Sequence, residues 1–354
     1  MIDLRSDTCS RPTSAMRRAI ADAEVGDDLF GDDPTVRELE AATAQLLGKE
    51  DAVYVPSGTM ANQIAVRLHA RPGEAVVTDP LAHVVTVEAA SLAGLSGVTT
   101  IPVAHERGVY DADAVRAAFA PAHRFFPRTV GPPPAVVWAE NTHNNGGGAV
   151  WPADRLAEIP AVAAERGLPS HLDGARLWHA ALAVGTAESQ LAAGFDTVSV
   201  CFSKALGAPV GSALAGPEQL VARARRYKQQ LGGGFRQAGI IAAGALYALR
   251  EHRPLLRRTH EMAARFAEQI ATMPGIEIDP AHVATNIVRF ELTDGDSGAF
   301  CERLHAAGVH MLPSGPRAVR AVFYLDIADE DVEPAAEAVR RVVTSAAAGS
   351  DPAG

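Results

Sequence analysis

The sequence has 354 residues, more than one hydrophobic core usually serves, so we expect one large domain and a smaller companion. Hydrophobic residues make up 47% and charged residues 21%, which is typical of a globular protein and excludes a mainly disordered chain. The formal net charge is -10 without a run of like charges, which argues against nucleic-acid and membrane partners and favours a small-molecule partner.

Residues 1–25 are predicted to form an extended N-terminal arm and a short helix, followed by a large domain over residues 26–250. In that domain short apolar runs alternate with amphipathic stretches, which indicates an α/β fold with a mostly parallel sheet. The predicted strands are residues 52–55, 75–78, 99–103, 135–139, 169–173 and 196–202. Helices are predicted between them, including residues 58–70 and 152–166.

A smaller α+β domain is predicted over residues 251–344. The pattern is helical from residue 239 to about 265, and two strands and two helices follow. They are predicted at residues 286–292 (strand), 297–307 (helix), 318–324 (strand) and 330–344 (helix). The last segment, residues 345–354, is small and polar and is expected to be disordered.

A turn after the first predicted strand is a candidate phosphate site. The strand runs into Ser57, Gly58 and Thr59, and a helix begins there. Free backbone N–H groups and the helix dipole would then point at one spot, which suits a phosphate, and Ser57 or Thr59 could add a hydroxyl. An ordinary helix cap is the alternative that the turn alone leaves open.

Asp173 closes a predicted buried strand, at the carboxyl end where open α/β sheets bind their ligands. A buried carboxylate needs a cationic partner to offset its desolvation. A protonated pyridine nitrogen would serve, and a structural ion pair with Arg176 is the alternative.

Lys204 also follows directly on a buried strand, 31 positions after Asp173, among small and apolar residues. One crossover helix between the two strands would bring both side chains to the same rim of the sheet. Partial burial favours the neutral amine that imine formation requires, so Lys204 is a better candidate than a surface lysine. The other lysines of the chain are Lys49 and Lys228.

A phosphate turn, a carboxylate and a strand-end lysine are the contacts that pyridoxal phosphate needs in the aspartate-aminotransferase-like fold, also called fold type I. The sequence also resembles the low-specificity L-threonine aldolases, in order along most of the first 250 residues. The motifs that carry the resemblance are RSDT (residues 5–8), VGDD (25–28), PSGTM (56–60), ENTHN (140–144), DGARL (173–177), SVC (199–201), GAPVGS (207–212) and LGGGFRQAG (231–239).

The resemblance implies a cofactor-binding role for several residues. Lys204 would carry pyridoxal 5'-phosphate as a Schiff base, and Asp173 would pair with the pyridine nitrogen. Gly58 and Thr59 would hold the phosphate, and Arg236 would reach it across a subunit interface. The resemblance thus implies a homo-oligomer, a dimer or a tetramer, with active sites at the interface.

The same resemblance implies the substrate contacts. His83 would lie against the cofactor ring and assist proton transfer, and Arg176 would also contact the cofactor. Ser6, Arg176 and Arg320 would hold the substrate carboxylate. No metal ligand is expected.

The chain departs from the family pattern at three places. Phe30 stands where the family usually has Tyr, and Phe125 stands where it has a His near the substrate's β-hydroxyl, with His123 two residues earlier. Phe323-Tyr324 replaces a usual Thr-His pair. Because polar groups near the β-substituent are replaced by aromatic ones, we expect a bulkier or aromatic substrate to be cleaved better than threonine.

The activity implied is retro-aldol cleavage of the Cα–Cβ bond of a β-hydroxy-α-amino acid to glycine and an aldehyde. The cofactor residues serve other bond-breaking reactions equally well, so a β-elimination lyase and a transaldolase remain alternatives. A binding protein without catalysis is a third alternative, against which Lys204 and Asp173 argue.

The cysteines give the expected compartment. Cys9, Cys201 and Cys301 are far apart, odd in number and without metal-ligand spacing, which favours a reducing cytoplasm over a disulfide framework. The first five residues lack the basic and apolar regions of a signal peptide, and no apolar run is long enough to span a membrane.

Overall fold

The computed structural model describes residues 1–119, 124, 125, 127 and 129–348. The chain forms two compact units. The larger unit consists of Pro12–Ser203 and Ala208–Arg250, and the smaller unit consists of Met1–Arg11, Lys204–Gly207 and the chain from Glu251 onward. Residues 1–11, part of the predicted arm, thus pack with the C-terminal part of the chain, and the domain boundaries given above stay predictions.

The β-strands of the described residues are β1 Ile2–Asp3, β2 Asp51–Val55, β3 Ala75–Thr78, β4 Thr99–Pro102, β5 Pro134–Glu140, β6 Ser170–Gly174, β7 Thr197–Cys201, β8 Ser212–Gly216, β9 Ile276–Glu277, β10 Ile287–Leu292, β11 Val309–His310, β12 Leu312–Pro313 and β13 Ala318–Val322.

The α-helices of the described residues are α1 Ser14–Ala21, α2 Pro34–Leu47, α3 Gly58–His69, α4 His83–Thr86, α5 Ser91–Gly94, α6 Ala112–Ala118, α7 Ala153–Glu165, α8 Leu177–Val184, α9 Glu188–Leu191, α10 Glu218–Gln230, α11 Gly239–Tyr247, α12 Leu256–Ala271, α13 Ser297–Ala306 and α14 Val332–Ala348. Short 3₁₀ turns lie at Asp7–Cys9, Arg253–Leu255, Pro280–His282 and Asp329–Asp331.

The larger unit is built on a seven-stranded sheet with the order β2-β8-β7-β6-β5-β3-β4. Strands β3 to β7 pair in parallel, whereas β8 is antiparallel to both β7 and β2. All of the strands except β8 therefore run in one direction, so their carboxyl ends meet at one edge. We call this the carboxyl edge of the sheet.

The six predicted strands are all present. Five of them have mostly buried side chains, which suits a sheet covered on both faces, whereas β4 is partly exposed at the edge of the sheet. Strand β8 was not predicted. Its sequence, SALAG, is small and has low strand propensity, and it forms a strand because it lies buried between β2 and β7.

The smaller unit contains a four-stranded antiparallel sheet with the order β12-β13-β10-β9 and a parallel pair of β1 with β11. Helices α12 and α14 pack against each other. The predicted helical stretch from residue 239 is interrupted by a π turn at Ala248–His252 and the 3₁₀ turn at Arg253–Leu255, where Pro254 cannot continue the hydrogen-bond ladder.

Helix α14 continues to Ala348, so residues 345–348, predicted to belong to a disordered tail, are helical. The helix simply extends four residues past the predicted end, because Ala is the strongest helix former and follows Ser345 three times. Residues 349–354 of that tail lie outside the described residues. Among the described helices none is both long and apolar enough to cross a membrane.

Candidate active site

The carboxyl edge of the larger unit's sheet carries the predicted site residues Gly58, Thr59, His83, Asp173 and Arg176. Strand β2 ends before the turn at Ser57, β3 ends before Asp79 and His83, and β6 ends at Asp173 and Gly174. Strand β5 ends at Glu140, which belongs to the ENTHN motif. The sheet therefore collects these side chains where open α/β sheets bind ligands.

The turn after β2 is both a helix cap and a close contact with β7. Ser57 caps α3, because its Oγ accepts the backbone N–H of Met60 at 3.2 Å. A Cβ at Gly58 would lie 2.8 Å from the Sγ of Cys201, so only glycine allows this approach. The first N–H groups of α3, including those of Gly58 and Thr59, have no intrahelical acceptor and suit an anion.

Asp173 is a buried carboxylate held by neutral donors. Only 2% of the residue's surface is exposed. The amide of Asn62 donates to Oδ2 at 2.7 Å, and the backbone N–H of Ala175 donates to Oδ1 at 3.1 Å. Within the described part of the chain, no lysine or arginine forms an ion pair with it. Burial of such a carboxylate leaves a strong demand for a cation.

Asn62 links Asp173 to His83 through a second carboxylate. Its Nδ2 also donates to Oε1 of Glu88 at 2.7 Å, and the same Oε1 lies 2.8 Å from Nδ1 of His83. Ligand atoms of His83, Glu88 and Asp173 lie within 4.8 Å of one another, a spacing that a cation could also use. The expectation of no metal therefore stays a prediction.

Glu140 accepts two backbone N–H groups, one with each carboxylate oxygen. Its Oε2 accepts from His83 at 2.6 Å, and its Oε1 accepts from Asn144 at 2.8 Å. Burial raises the pKa of Glu140, and the Asp173 carboxylate raises it further. The side chain of Asn144 in turn accepts a hydrogen bond from Arg176 at 3.3 Å. His83, Asp173 and Arg176 are thus part of one hydrogen-bonded network.

A chain of hydrogen bonds runs away from Asp173 along β6 and β7. Ser199 donates to Oδ1 of Asn62 at 2.9 Å and lies 3.4 Å from Nε2 of His171. Thr197 lies 2.7 Å from Nδ1 of His171 and 2.8 Å from Nε2 of His69.

Oδ1 of Asn62 can only accept, and this sets which group donates in each hydrogen bond of the series. Because Ser199 donates to Asn62, its oxygen accepts from Nε2–H of His171, whose Nδ1 then accepts from Thr197. Thr197 in turn accepts from Nε2–H of His69. Burial lowers the pKa of His171 well below its ordinary value and that of His69 to about 4, so both imidazoles are neutral at pH 7. Every donor in this series therefore points toward Asp173, so each hydrogen bond orients the next.

Lys204 comes three residues after the end of β7 and is half-buried. It belongs to the smaller unit, where its backbone carbonyl accepts from Ser10 Oγ at 2.6 Å and from the N–H of Gly207 at 2.8 Å. Strand β7 carries Ser199 directly opposite Asp173 of β6. The lysine thus follows the register partner of Asp173 by five residues.

Two further predicted residues lie in the smaller unit. Ser6 caps the 3₁₀ turn at Asp7–Cys9, because its Oγ accepts the N–H of Thr8 at 3.2 Å. Arg320 lies in β13, and its Nη2 donates to the carbonyl of Arg5 at 3.4 Å. The unit therefore brings Arg320 next to the residue that precedes Ser6.

The remaining predicted residues lie on the surface of the larger unit. Arg236 has a side chain 61% exposed and pairs with Asp27 at 3.3 Å. Phe30 is 79% exposed, and Phe125 is 75% exposed with the Arg124 guanidinium 4.4 Å from its ring centroid. His123, noted beside Phe125, lies outside the described residues.

Asn62, Glu88, Glu140 and Asn144 belong to this network but were not assigned roles from the sequence. Glu140 and Asn144 belong to the ENTHN motif, and Asn62 lies in α3, three residues after Thr59. Glu88 had its own signal, since it is a single acidic residue in the otherwise uncharged stretch from Val84 to Leu92. A buried acid in such a stretch needs a partner, and His83 is five residues away.

Comparisons with known proteins agree with this arrangement. The profile of the β-eliminating lyase family matches residues 3–293. The low-specificity L-threonine aldolase 1 of Arabidopsis thaliana is 37% identical over 338 residues, which cover 94% of this chain and 93% of that protein. The low specificity L-threonine aldolase of Escherichia coli K12 is 37% identical over 333 residues, covering 94% and 96%.

Solved structures share the fold. The threonine aldolase of Leishmania major superposes with a TM-score of 0.80 at 21% identity, covering 97% of this chain and all of that one, 100%. An aminotransferase from Streptoalloteichus hindustanus gives a TM-score of 0.71 at 20% identity, covering 98% and 100%. The predicted fold type I architecture and the family resemblance are thereby confirmed. The chain belongs to the β-eliminating lyase family, among the low-specificity L-threonine aldolases, which are pyridoxal-phosphate-dependent lyases.

Proposed function

We propose that this protein is a pyridoxal-phosphate-dependent aldolase that cleaves a β-hydroxy-α-amino acid into glycine and an aldehyde. The observation that carries the proposal is Asp173, a carboxylate 2% exposed that has only neutral donors among the described residues. A pyridinium nitrogen supplies the missing positive charge, and the carboxylate keeps that nitrogen protonated.

Other residues hold the remaining parts of the cofactor. Gly58 and Thr59 bind the phosphate at the start of α3, and Arg236 of a second subunit adds a guanidinium. His83 and Arg176 would contact the cofactor ring. Lys204 forms the covalent link, supported by its position five residues after the partner of Asp173, a span of at most about 18 Å of extended chain. When bound, the cofactor accepts the electron pair of the bond that breaks.

The residues of this chain position the substrate and move its proton. Arg176, Arg320 and Ser6 would hold the substrate carboxylate and so orient the Cα–Cβ bond for cleavage. His83, directly or through a water, takes the proton from the β-hydroxyl oxygen as that bond breaks. Glu88 fixes the imidazole through Nδ1 at 2.8 Å, so the ring keeps one orientation during the transfer.

The preferred substrate has a bulky or aromatic β-substituent. Phe30 and Phe125 support this preference, because both replace polar groups and both expose most of their aromatic surface. Aromatic side chains stack on the phenyl ring of phenylserine and gain much less from the methyl group of threonine. A higher kcat/KM for threonine than for phenylserine would contradict this part of the proposal.

The enzyme works as a homo-oligomer, a dimer or a homotetramer, with its sites between subunits. Arg236 supports this, because its exposed side chain pairs within its own chain with half-buried Asp27 rather than with the turn at Gly58. Exposed apolar side chains of the larger unit also suit burial against a second copy; they include Val25, Leu29, Phe30, Val87 and Ile240.

Mixing two inactive variants tests the shared site. If Arg236 acts in trans, refolding R236A together with K204A restores part of the activity, since hybrid oligomers contain one site with both native residues. If the mixture stays as inactive as each variant alone, Arg236 does not serve a neighbouring subunit.

Trapping and product analysis test the function as a whole. Borohydride reduction of the holoenzyme followed by peptide mapping should label Lys204 and leave Lys49 and Lys228 unlabelled, because Lys49 donates to two backbone carbonyls and Lys228 pairs with Asp28. Each of the two substrates, threonine and phenylserine, should give one molecule of glycine for every molecule of its aldehyde. Labelling of another lysine, or no glycine from any β-hydroxy amino acid, would overturn the proposal.

A β-elimination lyase or a transaldolase is the second candidate, favoured by the family profile that matches most of the chain. Pyruvate and ammonia from serine, or exchange of an added aldehyde into the amino acid without free glycine, would support it. The cytoplasmic compartment is also a proposal, supported by Cys9, Cys201 and Cys301, which are all free thiols.

A further inference from the structure

Residues 140–145, which comprise the last residue of β5 and the loop that follows it, contact two other segments that the proposed function uses. We call this segment the β5 loop. It contains the ENTHN motif, to which the proposed mechanism gives no part. On one side it holds the segment Asp79–Thr86, which carries His83, and on the other side it holds Arg176.

Glu140 makes the central contact. Its two oxygens accept the backbone N–H groups of His83 at 2.6 Å and Asn144 at 2.8 Å, and the residue is only 5% exposed. The N–H of His83 is at the first turn of α4, where a helix supplies no acceptor of its own. Helix α4 has no side-chain cap at Ala82, so the Glu140 carboxylate acts as a cap from a distant strand.

Two more contacts join the β5 loop to the His83 segment. Asn145 donates to the carbonyl of Leu81 at 2.8 Å and to Oγ1 of Thr86 at 3.1 Å, so it spans α4 from end to end. Nε2 of His143 lies 2.7 Å from Oδ2 of Asp79, whose Oδ1 accepts the N–H of Leu81 at 2.8 Å.

His143 contributes as a donor in this arrangement. The N–H of Gly146 donates to its Nδ1 at 2.9 Å, so that nitrogen carries a lone pair and the proton lies on Nε2, facing Asp79. The histidine thus transmits the position of the β5 loop to Asp79 and the turn before His83.

The other side of the loop reaches Arg176. The N–H of Asn144 is bound by Glu140, and its Oδ1 accepts from Nη1 of Arg176 at 3.3 Å. The N–H of Asn141 donates to the carbonyl of Asp173 at 2.9 Å, which fixes the loop to the end of β6.

We propose that Glu140 is a positioning residue that sets His83 and Arg176 relative to each other through the backbone of α4 and the β5 loop. The inference rests on the proposed function, in which His83 moves the proton and Arg176 holds the substrate carboxylate. One buried carboxylate then controls both the rate of bond cleavage and the binding of substrate.

The variant Glu140→Gln tests this directly, because it keeps the shape of the side chain and replaces one acceptor oxygen with a donor. One of the two backbone N–H groups then faces an N–H of the glutamine. We expect kcat to fall by about 100-fold, which is the usual cost of misplacing a catalytic group by about 1 Å. We also expect KM to rise several-fold as Arg176 shifts.

Two variants of the loop separate the two effects. Asn145→Ala removes both contacts to the His83 segment and one bond from the Asn144 amide, but it leaves Asn144 Oδ1 on Arg176, so it should lower kcat more than it raises KM. Asn144→Ala removes one acceptor of Arg176, so it should raise KM with a smaller effect on kcat. The proposal predicts that Glu140→Gln combines both patterns.

Hydrogen–deuterium exchange measured by mass spectrometry gives a readout independent of activity. In Glu140→Gln the peptide covering residues 79–88 should exchange faster, whereas a peptide within Leu256–Ala271 of the smaller unit should exchange as in the wild type. Asn144→Ala should leave exchange in residues 79–88 unchanged.

Wild-type exchange of residues 79–88 in Glu140→Gln, or a change in only one of kcat and KM, would overturn the proposal. If Glu140→Gln does not fold, Glu140→Asp, which keeps the charge but is one methylene too short to reach both N–H groups, is judged by the same criteria. If the wild type cleaves no β-hydroxy amino acid, the proposed function fails, whereas the exchange data still decide whether Glu140 holds the His83 segment.

Discussion

The surroundings of Asp173 and those of Phe30 and Phe125 differ sharply. Asp173 is 2% exposed and its neighbours are joined by hydrogen bonds from α3, β5, β6 and β7. Phe30 and Phe125 are 79% and 75% exposed and lie in turns. The side chains around Asp173 are thus held by hydrogen bonds within one chain, whereas Phe30 and Phe125, which face the substrate's side chain in our proposal, keep most of their surface open to a second subunit.

The largest effect is expected when the charge of Asp173 is removed. Asp173→Asn keeps the size of the side chain but cannot stabilise a protonated pyridine nitrogen, so kcat should fall by about 100- to 1,000-fold. The dissociation constant for pyridoxal phosphate should also rise. Both are measured from glycine release and from the cofactor's absorbance during titration.

Asp196→Asn is the matched control at the opposite edge of the sheet. Asp196 accepts from the N–H of Ser170 at 2.7 Å, and asparagine can still accept there. Its kcat should stay within about twofold of the wild type, because it lies outside the hydrogen-bond network of Asp173. Equal losses in the two variants would show that Asp173 acts through folding rather than through the cofactor.

The next largest effect is expected on substrate preference, when the exposed residues Phe30 and Phe125 are changed. Phe125→His and Phe30→Tyr restore the polar groups that the family usually has, so the ratio of kcat/KM for phenylserine to that for threonine should fall by about tenfold for the pair. The absolute rate with phenylserine should change less than in Asp173→Asn, because no contact to the cofactor is removed.

Phe119→His provides a control of the same chemistry. The Arg166 guanidinium lies 4.9 Å from the Phe119 ring centroid, much as Arg124 lies over Phe125, but the family resemblance gives Phe119 no substrate contact. Its substrate ratio should match the wild type. If Phe125→His leaves the ratio unchanged, the aromatic departures do not set substrate preference.

The buried side of the site was largely accessible from the sequence. Strands that are covered on both faces are continuous apolar runs, so the positions of Asp173 and Lys204 at strand ends could be predicted. The partners of Asp173 could not. Asn62, which donates to Asp173, is 111 residues away from it in the sequence, and Glu88, which accepts from Asn62, is 26 residues from Asn62. Hydrophobic periodicity contains no information about such pairs.

One aromatic departure from the family pattern, at Phe323, belongs to the core of the smaller unit. The pair Phe323-Tyr324 was interpreted with Phe30 and Phe125 as an aromatic replacement near the substrate. In the smaller unit Phe323 is fully buried and its ring centroid is 5.5 Å from that of Phe266, so this residue packs in the core. An aromatic residue in the sequence does not by itself distinguish a core position from a binding surface.

The hydrogen-bond chain behind Asp173 predicts a pH dependence of folding. Burial lowers the pKa of His69 to about 4, whereas the unfolded chain has the ordinary value near 6.5. Between these values only the unfolded state binds the proton, so the free energy of unfolding falls as the pH drops from 6.5 towards 4. In His69→Gln, which can still donate to Thr197, the loss between pH 7 and pH 5 should be smaller by about 1–2 kcal/mol.

Urea unfolding at the two pH values measures this difference. His282→Gln is the control, because His282 lies on the surface of the smaller unit with a side chain 58% exposed. Its loss of stability between pH 7 and pH 5 should equal that of the wild type. An unchanged pH dependence in His69→Gln would mean that His69 takes up a proton in the folded state.

The smallest effect tests whether the direction of the chain matters for Asp173. Thr197→Val has the same shape as threonine but cannot donate to Nδ1 of His171, so the imidazole loses the bond that keeps its Nε2–H toward Ser199. We expect a two- to fivefold weaker affinity for pyridoxal phosphate, about 0.4–1 kcal/mol, in line with one neutral hydrogen bond.

Thr197→Ser should restore the affinity, because it keeps the hydroxyl and loses only a methyl group. If the serine and valine variants bind the cofactor equally, packing around Thr197 is what matters and the hydroxyl has no effect on Asp173. If only the valine variant binds the cofactor more weakly, then the Thr197–His171 hydrogen bond, which is separated from Asp173 by Ser199 and Asn62, still affects the cofactor. The hydrogen-bonded surroundings of Asp173 would then extend along β6 and β7 to His69, because each donor in that series orients the next.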